Sequence, residues 1–130
     1  MEKYFISKNN DTKNPSYFTV DKETGKKIGF LIAKDSSDIY CRFAEYCNGK
    51  KLMSIIIVYV QKDYIGNGIG TALINKLLKD YKDYNILLIV NPMMHKTLSK
   101  EELYKFYEKF GFVRTNELVC TMIKKAEQYE

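Results

Sequence analysis

The sequence lacks the features of a membrane-bound or disulfide-bonded protein. Its 130 residues contain no apolar run long enough to cross a bilayer, and no charged stretch followed by an apolar leader comes after Met1. The three cysteines are odd in number and scattered without metal-ligand spacing, which is typical of reduced thiols in the cytosol. We therefore expect a cytoplasmic protein that uses no metal and contacts no membrane.

Histidine is also scarce, and the positive charge is spread along the chain. His95 is the only histidine, and a lone histidine in a polar loop is more often solvated than catalytic. The formal net charge of +5 admits an acidic partner, but the densest lysine clusters hold only two residues each. A nucleic-acid partner is therefore not expected, whereas a ligand with several phosphates would account for the charge equally well.

What the chain does have is the length and hydrophobic content of one domain. With 45% hydrophobic residues and no linker, it can fill a single core but not two. We predict one domain over residues 1–130. Strand patterns separated by turns or helical segments occur throughout. The predicted strands are 3–6, 17–20, 27–33, 39–47, 52–60, 86–90, 112–113 and 118–123.

The order of these segments predicts a mixed α/β fold of the α+β type. The first half has hairpin patterns, with Asn48-Gly49 as the strongest turn signal, so its strands should be antiparallel. The strand at 86–90 follows a helix and should run parallel to the strand at 52–60. We therefore predict a mostly antiparallel central sheet with one parallel pair and flanking helices.

A strand, a glycine loop and a helix follow one another in the middle of the chain. The β-branched run 55–60 is typical of a strand buried on both faces, and apolar residues recur at helical spacing after the loop. Gly66, Gly68 and Gly70 leave the main chain of the loop open, and the first amides of a helix have no intrahelical acceptors. Because the helix carries no carboxylate before Asp80, the sequence predicts a phosphate site here.

Two common phosphate-binding signatures fail on one residue of this loop. The dinucleotide fingerprint needs a glycine or alanine at position 71, and a P-loop would also need its second glycine there. The chain has Thr71 instead. Both readings are therefore set aside, and a plain surface turn between strand and helix stays as the alternative.

The loop does resemble the pyrophosphate-binding motif of the Gcn5-related N-acetyltransferases, the GNAT family. Gly68 and Gly70 match its Arg/Gln-x-x-Gly-x-Gly/Ala pattern, whereas Ile65 replaces the Arg or Gln. A second stretch, 103–112, is similar to the later family signature, a helix that ends in Tyr-Glu-Lys-x-Gly-Phe. With Asn91 at the end of the preceding strand, the resemblance runs from about 54 to 113.

The resemblance implies transfer of an acetyl group from acetyl-CoA to a primary amine by direct attack. The acceptor is left open between a small molecule and a protein, and a non-catalytic coenzyme A-binding module is the alternative. In the family, backbone at the end of the central strand pairs with the pantetheine arm. The implied coenzyme A contacts are Val58, Tyr59, Val60, Ile65, Gly66, Asn67, Gly68, Ile69, Gly70, Thr71, Asn91, Tyr104 and Tyr107.

Two residues are the catalytic candidates. The resemblance places Tyr107 at the general-acid tyrosine that protonates the leaving thiolate, although Tyr107 also completes an apolar stripe with Leu103, Phe106 and Phe110. The central strand holds no carboxylate. Glu45 on the preceding strand, acting directly or through water, is therefore the candidate base, weighed against an ordinary exposed glutamate.

The chain departs from the family between its first and second strands. The usual fold places two helices there, and the polar segment 7–16 with Pro15 cannot supply them. Those helices normally cover part of the acceptor site. Their absence implies an open acceptor groove, or one completed by a second copy of the chain or by the acceptor itself.

Overall fold

The computed structural model describes residues 3–37, 51–90, 98–115 and 120–127. The predicted strand at 39–47 and the candidates Glu45, Asn91 and His95 lie outside these ranges. The elements are β1 (Tyr4–Lys8), β2 (Ser16–Asp21), β3 (Lys27–Asp35), β4 (Leu52–Val60), α1 (Ile69–Asp80), β5 (Asn85–Ile89), α2 (Lys100–Glu108), β6 (Val113–Arg114) and β7 (Thr121–Lys124).

The strands form a seven-stranded sheet in the order β1-β2-β3-β4-β5-β7-β6, mostly antiparallel with one parallel pair. This confirms the predicted fold class. β1 ends at Lys8 and β2 begins at Ser16, and residues 9–15 form no helix. The prediction that the two helices usual between these strands are missing is therefore confirmed, and the described residues contain two α-helices in all.

The chain divides into two compact units, which are Met1–Lys34 with Ile55–Tyr81, and Asp35–Ser54 with Lys82–Glu130. In the first unit, β1, β2 and β3 form an antiparallel meander, as the hairpin patterns predict. α1 packs on this meander through Ile69, Leu73, Ile74 and Leu77. Ala72, one of the apolar residues at helical spacing, is exposed, whereas Ile74 is buried.

A polar network fixes the C-terminal end of α1 in the first unit. The buried Tyr17 hydroxyl donates to Asp80 Oδ2 at 2.9 Å, and the ammonium groups of Lys8 and Lys76 lie 3.5 and 3.6 Å from the same carboxylate. The Lys8 ammonium also lies 5.1 Å from the centre of the Tyr81 ring. A carboxylate at a helix C-terminus opposes the helix dipole, and these three donors compensate for it.

In the second unit, β7 pairs with both β5 and β6, and α2 begins with a complete capping box. Ser99 Oγ accepts from the Glu102 amide, and Glu102 Oε1 accepts from the Ser99 amide. The buried face of α2 is made by Leu103, Tyr104 and Tyr107. The expected stripe is therefore rotated slightly, since Phe106 and Phe110 are only half-buried.

β4 has the predicted bounds but not the predicted burial. Its first four residues, Leu52–Ile55, are buried, as expected for a strand covered on both faces. Beyond them Ile56 is 60% exposed and Tyr59 is 40% exposed. The expectation of burial on both faces therefore fails in the second half of the strand, next to the glycine loop.

Candidate coenzyme A site

The glycine loop has a backbone that only glycine adopts easily. Gly66 has φ +94° and Gly68 has φ +76°, both in the left-handed region. A Cβ atom at either position would meet no protein atom within 4 Å. The space above these two glycines is therefore open, so a ligand can reach the main chain of the loop.

The two helices differ in how their N-terminal amides are satisfied. α2 uses its Ser99–Glu102 capping box, whereas α1 begins after Gly68, which has no side chain to cap it. The first turn of α1 also holds no acidic residue. The amides at the start of α1 therefore keep their capacity to donate to an anion, and the helix dipole favours negative charge there.

Hydrogen bonds to neighbouring elements hold the loop in place. A short 3₁₀ turn at Lys62–Tyr64 precedes it, and Asn67 Nδ2 donates to the Tyr64 carbonyl at 3.0 Å. The Tyr64 hydroxyl donates to Asp21 Oδ2 at 3.1 Å. The pKa of Asp21 is lowered, first by the Glu23 amide and then by this hydroxyl, so the carboxylate stays ionised as the anchor.

The end of β4 approaches the start of α1 because β3 has a glycine beside both. A Cβ on Gly29 would lie 3.0 Å from the Tyr59 carbonyl oxygen and 3.0 Å from Ile69 Cγ2. Any side chain at Gly29 would therefore displace the strand or the first residue of the helix. Sequence reasoning missed Gly29, and a glycine inside a strand pattern was the available signal.

The side chains of Val58, Tyr59 and Val60 differ in exposure. Val58 is buried, Val60 is half-buried, and the exposed Tyr59 stacks on Phe30 with 5.3 Å between ring centroids. Ile65, at the motif's Arg/Gln position, is 51% exposed. An aliphatic side chain cannot donate to a phosphate, so Ile65 supplies no side-chain hydrogen bond to an anion at the loop.

The candidate acid Tyr107 lies in the second unit. Its side chain is 8% exposed, and burial raises the pKa of its hydroxyl to about 12. The hydroxyl has no hydrogen-bond partner within the four described ranges, and the ring contacts Phe106 and Phe112 edge-on. Tyr107 is therefore a protonated phenol over the whole neutral range.

Tyr104 has a different, charged environment in the same unit. The Arg114 guanidinium carbon lies 3.9 Å from the centre of the Tyr104 ring, and Arg114 also pairs with Glu101 at 2.9 Å. The pKa of the Cys120 thiol is lowered, first by a hydrogen bond from Lys100, while burial opposes this and Tyr104 adds a second hydrogen bond. Sequence reasoning did not connect Cys120 to this helix.

The predicted contacts from Val58 to Thr71 lie in one continuous part of the first unit. Tyr104 and Tyr107 are on α2 in the second unit, and Glu45 and Asn91 lie outside the described residues.

Within the described ranges there is no group of three metal-binding side chains. No helix in those ranges is both long and apolar enough to cross a membrane.

The assignment to a family rests on these features and on a direct sequence comparison. Residues 14–114 match the family model described as the acetyltransferase (GNAT) domain. The chain therefore belongs to the GNAT acetyltransferase family, as the two motifs predict.

Particular relatives agree with this assignment. The Bacillus subtilis protein named "Putative acetyltransferase YjbC" is 31% identical over 109 residues, which are 77% of this chain and 54% of that protein. The chain thus spans about half the length of this curated relative.

Solved structures share the fold at low sequence identity. Arabidopsis thaliana NAA60, in complex with a bisubstrate analogue, superposes with a TM-score of 0.63 at 20% identity, covering 88% of this chain and 76% of that one. The Escherichia coli GNAT protein YhbS, in complex with CoA, gives a TM-score of 0.57 at 16% identity, covering 87% and 59%.

Proposed function

We propose that the protein transfers an acetyl group from acetyl-CoA to a primary amine of a small molecule or a protein. The uncapped start of α1 carries this proposal. A helix whose first amides face open space, beside two glycines in left-handed conformation, fits the pyrophosphate of coenzyme A. Gly66 to Thr71 would hold that group through main-chain amides, and the backbone of Tyr59 and Val60 would align the pantetheine arm.

The chemistry divides between the bound thioester and the chain. When bound, acetyl-CoA supplies the acetyl group in activated form as a thioester. The chain would orient it at the loop, and Tyr107 would protonate the leaving sulfur, since its raised pKa keeps the phenol protonated until a thiolate forms beside it. The role of Tyr107 rests on the family resemblance and on this chemistry, and Glu45 stays the candidate base for the amine.

The loop assignment can be tested against a matched glycine. Gly68→Ala puts a methyl group in the open space that the phosphate would use and strains a backbone with φ +76°. Gly25→Ala is the control for strain, because Gly25 has φ +71° and equally open surroundings at the turn between β2 and β3. Each change should cost about 1 kcal/mol of stability through strain.

Only Gly68→Ala should weaken coenzyme A binding in calorimetry. Loss of one hydrogen bond to a charged phosphate is worth about 1.5–3 kcal/mol, or roughly tenfold or more in affinity. If both variants bind coenzyme A as the unaltered protein does, the loop is only a turn.

A coenzyme A-binding module without turnover is the second candidate, and Ile65 at the Arg/Gln position is the observation that favours it. Release of free thiol from acetyl-CoA across a panel of amines separates the two. An enzyme releases thiol only when an accepted amine is present, whereas a binding module releases none with any amine.

A further inference from the structure

β1 is an outer strand of the sheet, and its hydrogen bonds to β2 show which of its main-chain groups are used. It stands at one end of the strand order and, among the described strands, pairs with β2 alone. The Lys22 amide donates to the Lys3 carbonyl, and the Asn9 amide donates to the Ser16 carbonyl. Both bonds belong to one register, so the odd-numbered residues of β1 direct their N–H and C=O groups to β2.

The even-numbered residues of β1 present the opposite, open edge. Because the direction of the main-chain groups alternates along a strand, those of Tyr4, Ile6 and Lys8 point away from β2. They have no hydrogen-bond partner within the part of the chain that the structure describes. An unpaired edge of this kind is a template for a strand from another chain.

β1 lacks the usual features that protect an edge strand from such pairing. It contains no proline, and its register with β2 runs from Tyr4 to Lys8 without a bulge. Its one lysine does not shield the edge, because the Lys8 ammonium lies 3.5 Å from the Asp80 carboxylate and 5.4 Å from the centre of the Tyr17 ring. The edge is therefore open to pairing.

The charges beside this edge are compensated within the chain. Lys8 is paired with Asp80. The pKa of Asp21 is lowered first by the Glu23 amide and also by the charge of Lys3, so the Lys3 ammonium is near that carboxylate. Two copies of the chain can therefore approach edge to edge without a row of uncompensated lysines, whereas an acidic partner would find little free positive charge here.

The sequence of β1 is self-complementary when it pairs antiparallel with itself. In the register with a two-fold axis at Ile6, that residue faces Ile6 of the second copy, and the outward main-chain groups of the two strands meet. Tyr4 then faces Lys8, and Phe5 faces Ser7. No pair sets like charges opposite each other, which would be destabilising.

The same register gives the exposed side chain of Phe5 a place to pack. Phe5 is 46% exposed. Ser7 lies opposite Phe18 of β2, and Phe18 lies opposite Phe30 of β3. The Phe30 ring stacks on Tyr59 with 5.3 Å between centroids, so aromatic side chains form a row across three strands. Phe5 of the second copy would face the small Ser7 and extend this row.

We propose that β1 is the interface of a symmetric dimer, in which the β1 strands of two copies pair antiparallel about Ile6. Such an interface uses the same edge of both copies, so it closes at two chains and leaves no open β1 edge. Since the contact is one strand edge with a few side chains, the dissociation constant should be in the micromolar range. This inference does not depend on the proposed function.

Ile6→Pro tests the main-chain pairing by sedimentation of the full chain over a concentration series. Proline at this position removes an N–H that points outward and leaves the hydrogen bonds to β2 in place. We expect Ile6→Pro to weaken the dimer at least tenfold. Ile6→Val, which keeps the N–H and a β-branched side chain, is the control and should dimerise as the unaltered protein does.

Phe5→Ser tests the side-chain contact and stays decisive if Ile6→Pro does not fold. Because Phe5 is already largely exposed, the change should leave the fold intact and weaken the dimer roughly tenfold. Ile56→Ser is the matched control, since Ile56 is 60% exposed on β4 and lies outside the proposed interface. It should leave the association unchanged.

Ile6→Cys tests the register itself. Facing residues of a hydrogen-bonded antiparallel pair have Cα atoms about 5.5 Å apart, which is within the range of a disulfide. With glutathione disulfide as the oxidant, Ile6→Cys should form a dimer cross-linked at position 6, identified by mass spectrometry of the linked peptide. Tyr4→Cys is the control, because its position faces Lys8 and not its own copy, and it should not cross-link at position 4.

Three results would each overturn the proposal. They are an unaltered protein that stays monomeric at about 1 mM, a dimer that Ile6→Pro and Phe5→Ser leave equally stable, and cross-linking at position 4 in place of position 6. None of them bears on coenzyme A binding, so the proposed function would stand.

Discussion

Tyr107, the proposed general acid, also has a packing role. Its ring is held between aromatic neighbours on α2 and at Phe112, and its hydroxyl has no partner within the described residues. A buried phenol without a partner among the described residues is available to a group that arrives with a ligand. Both roles are therefore compatible in one side chain.

Tyr107→Phe separates these roles, since it keeps the ring and removes only the proton. We expect normal folding and coenzyme A affinity, with turnover lowered on the order of 10²-fold. Because the pKa is raised to about 12, the acid stays protonated below that pH, and any loss of rate between pH 8 and 10 must come from another group. Unchanged turnover, when chemistry limits the rate, would leave Tyr107 a core residue and move the search to Tyr104.

At the scale of elements, α1 has an open N-terminus and a tightly held C-terminus. At the C-terminal end, the Asp80 carboxylate accepts a hydrogen bond from Tyr17 and forms ion pairs with Lys8 and Lys76. Burial raises the pKa of Asp80, but the Tyr17 hydrogen bond and then the two ammonium groups outweigh this, and the net pKa is lowered. A firm C-terminal anchor positions the uncapped amides at the other end of the helix.

We expect Asp80→Asn to lower the free energy of unfolding by about 1–2 kcal/mol at pH 7. The amide oxygen still accepts from Tyr17, and solvent screens the partly exposed lysines, so the loss is less than that of a full charged hydrogen bond. Urea unfolding measures it, with Asp83→Asn at an exposed turn position as the control. Equal stability of both variants would contradict a role for the network.

We also expect Asp80→Asn to change how the free energy of unfolding depends on acid pH. The folded-state pKa of Asp80 lies below its unfolded value of about 3.9, so its stabilisation is present above that pH and lost as pH falls through the folded pKa. The unaltered protein should therefore lose this contribution below about pH 4. The stability difference from Asp80→Asn should shrink over the same range, and a constant difference would argue against it.

At the scale of the whole molecule, the absence of helices between β1 and β2 bears on the acceptor. Residues 9–15 form a short loop held by Asn9, whose Oδ1 accepts from the Ser16 amide at 2.9 Å. In the family, helices at this place cover part of the acceptor site. We therefore propose that the acceptor side of this protein is open, or is completed by a second copy of the chain or by the acceptor itself.

We predict that the protein acetylates bulky acceptors such as peptides, alone or as a dimer. Sedimentation at assay concentration gives the oligomeric state, and mass spectrometry of peptides with a free or a blocked N-terminus identifies the amine that is acetylated. A monomer that acetylates only very small amines would contradict this prediction.

Local patterns in the sequence determined the bounds and the caps of several strands and helices. The bounds of β4, the capping box at Ser99–Glu102 and the uncapped glycine start of α1 follow from residues close together in the chain. Periodicity, caps and glycine positions act over a few residues, so they can be read without the fold. The family motifs, which depend on the same short spacings, were recognisable for that reason.

The tertiary structure alone decided the contacts between distant residues. Tyr17 and Asp80 are paired across 63 positions, and Gly29 is required only because Tyr59 and Ile69 pass close to it. The exposure of Ala72 likewise depends on how α1 packs on β2. Such features arise from long-range packing, which no local spacing encodes.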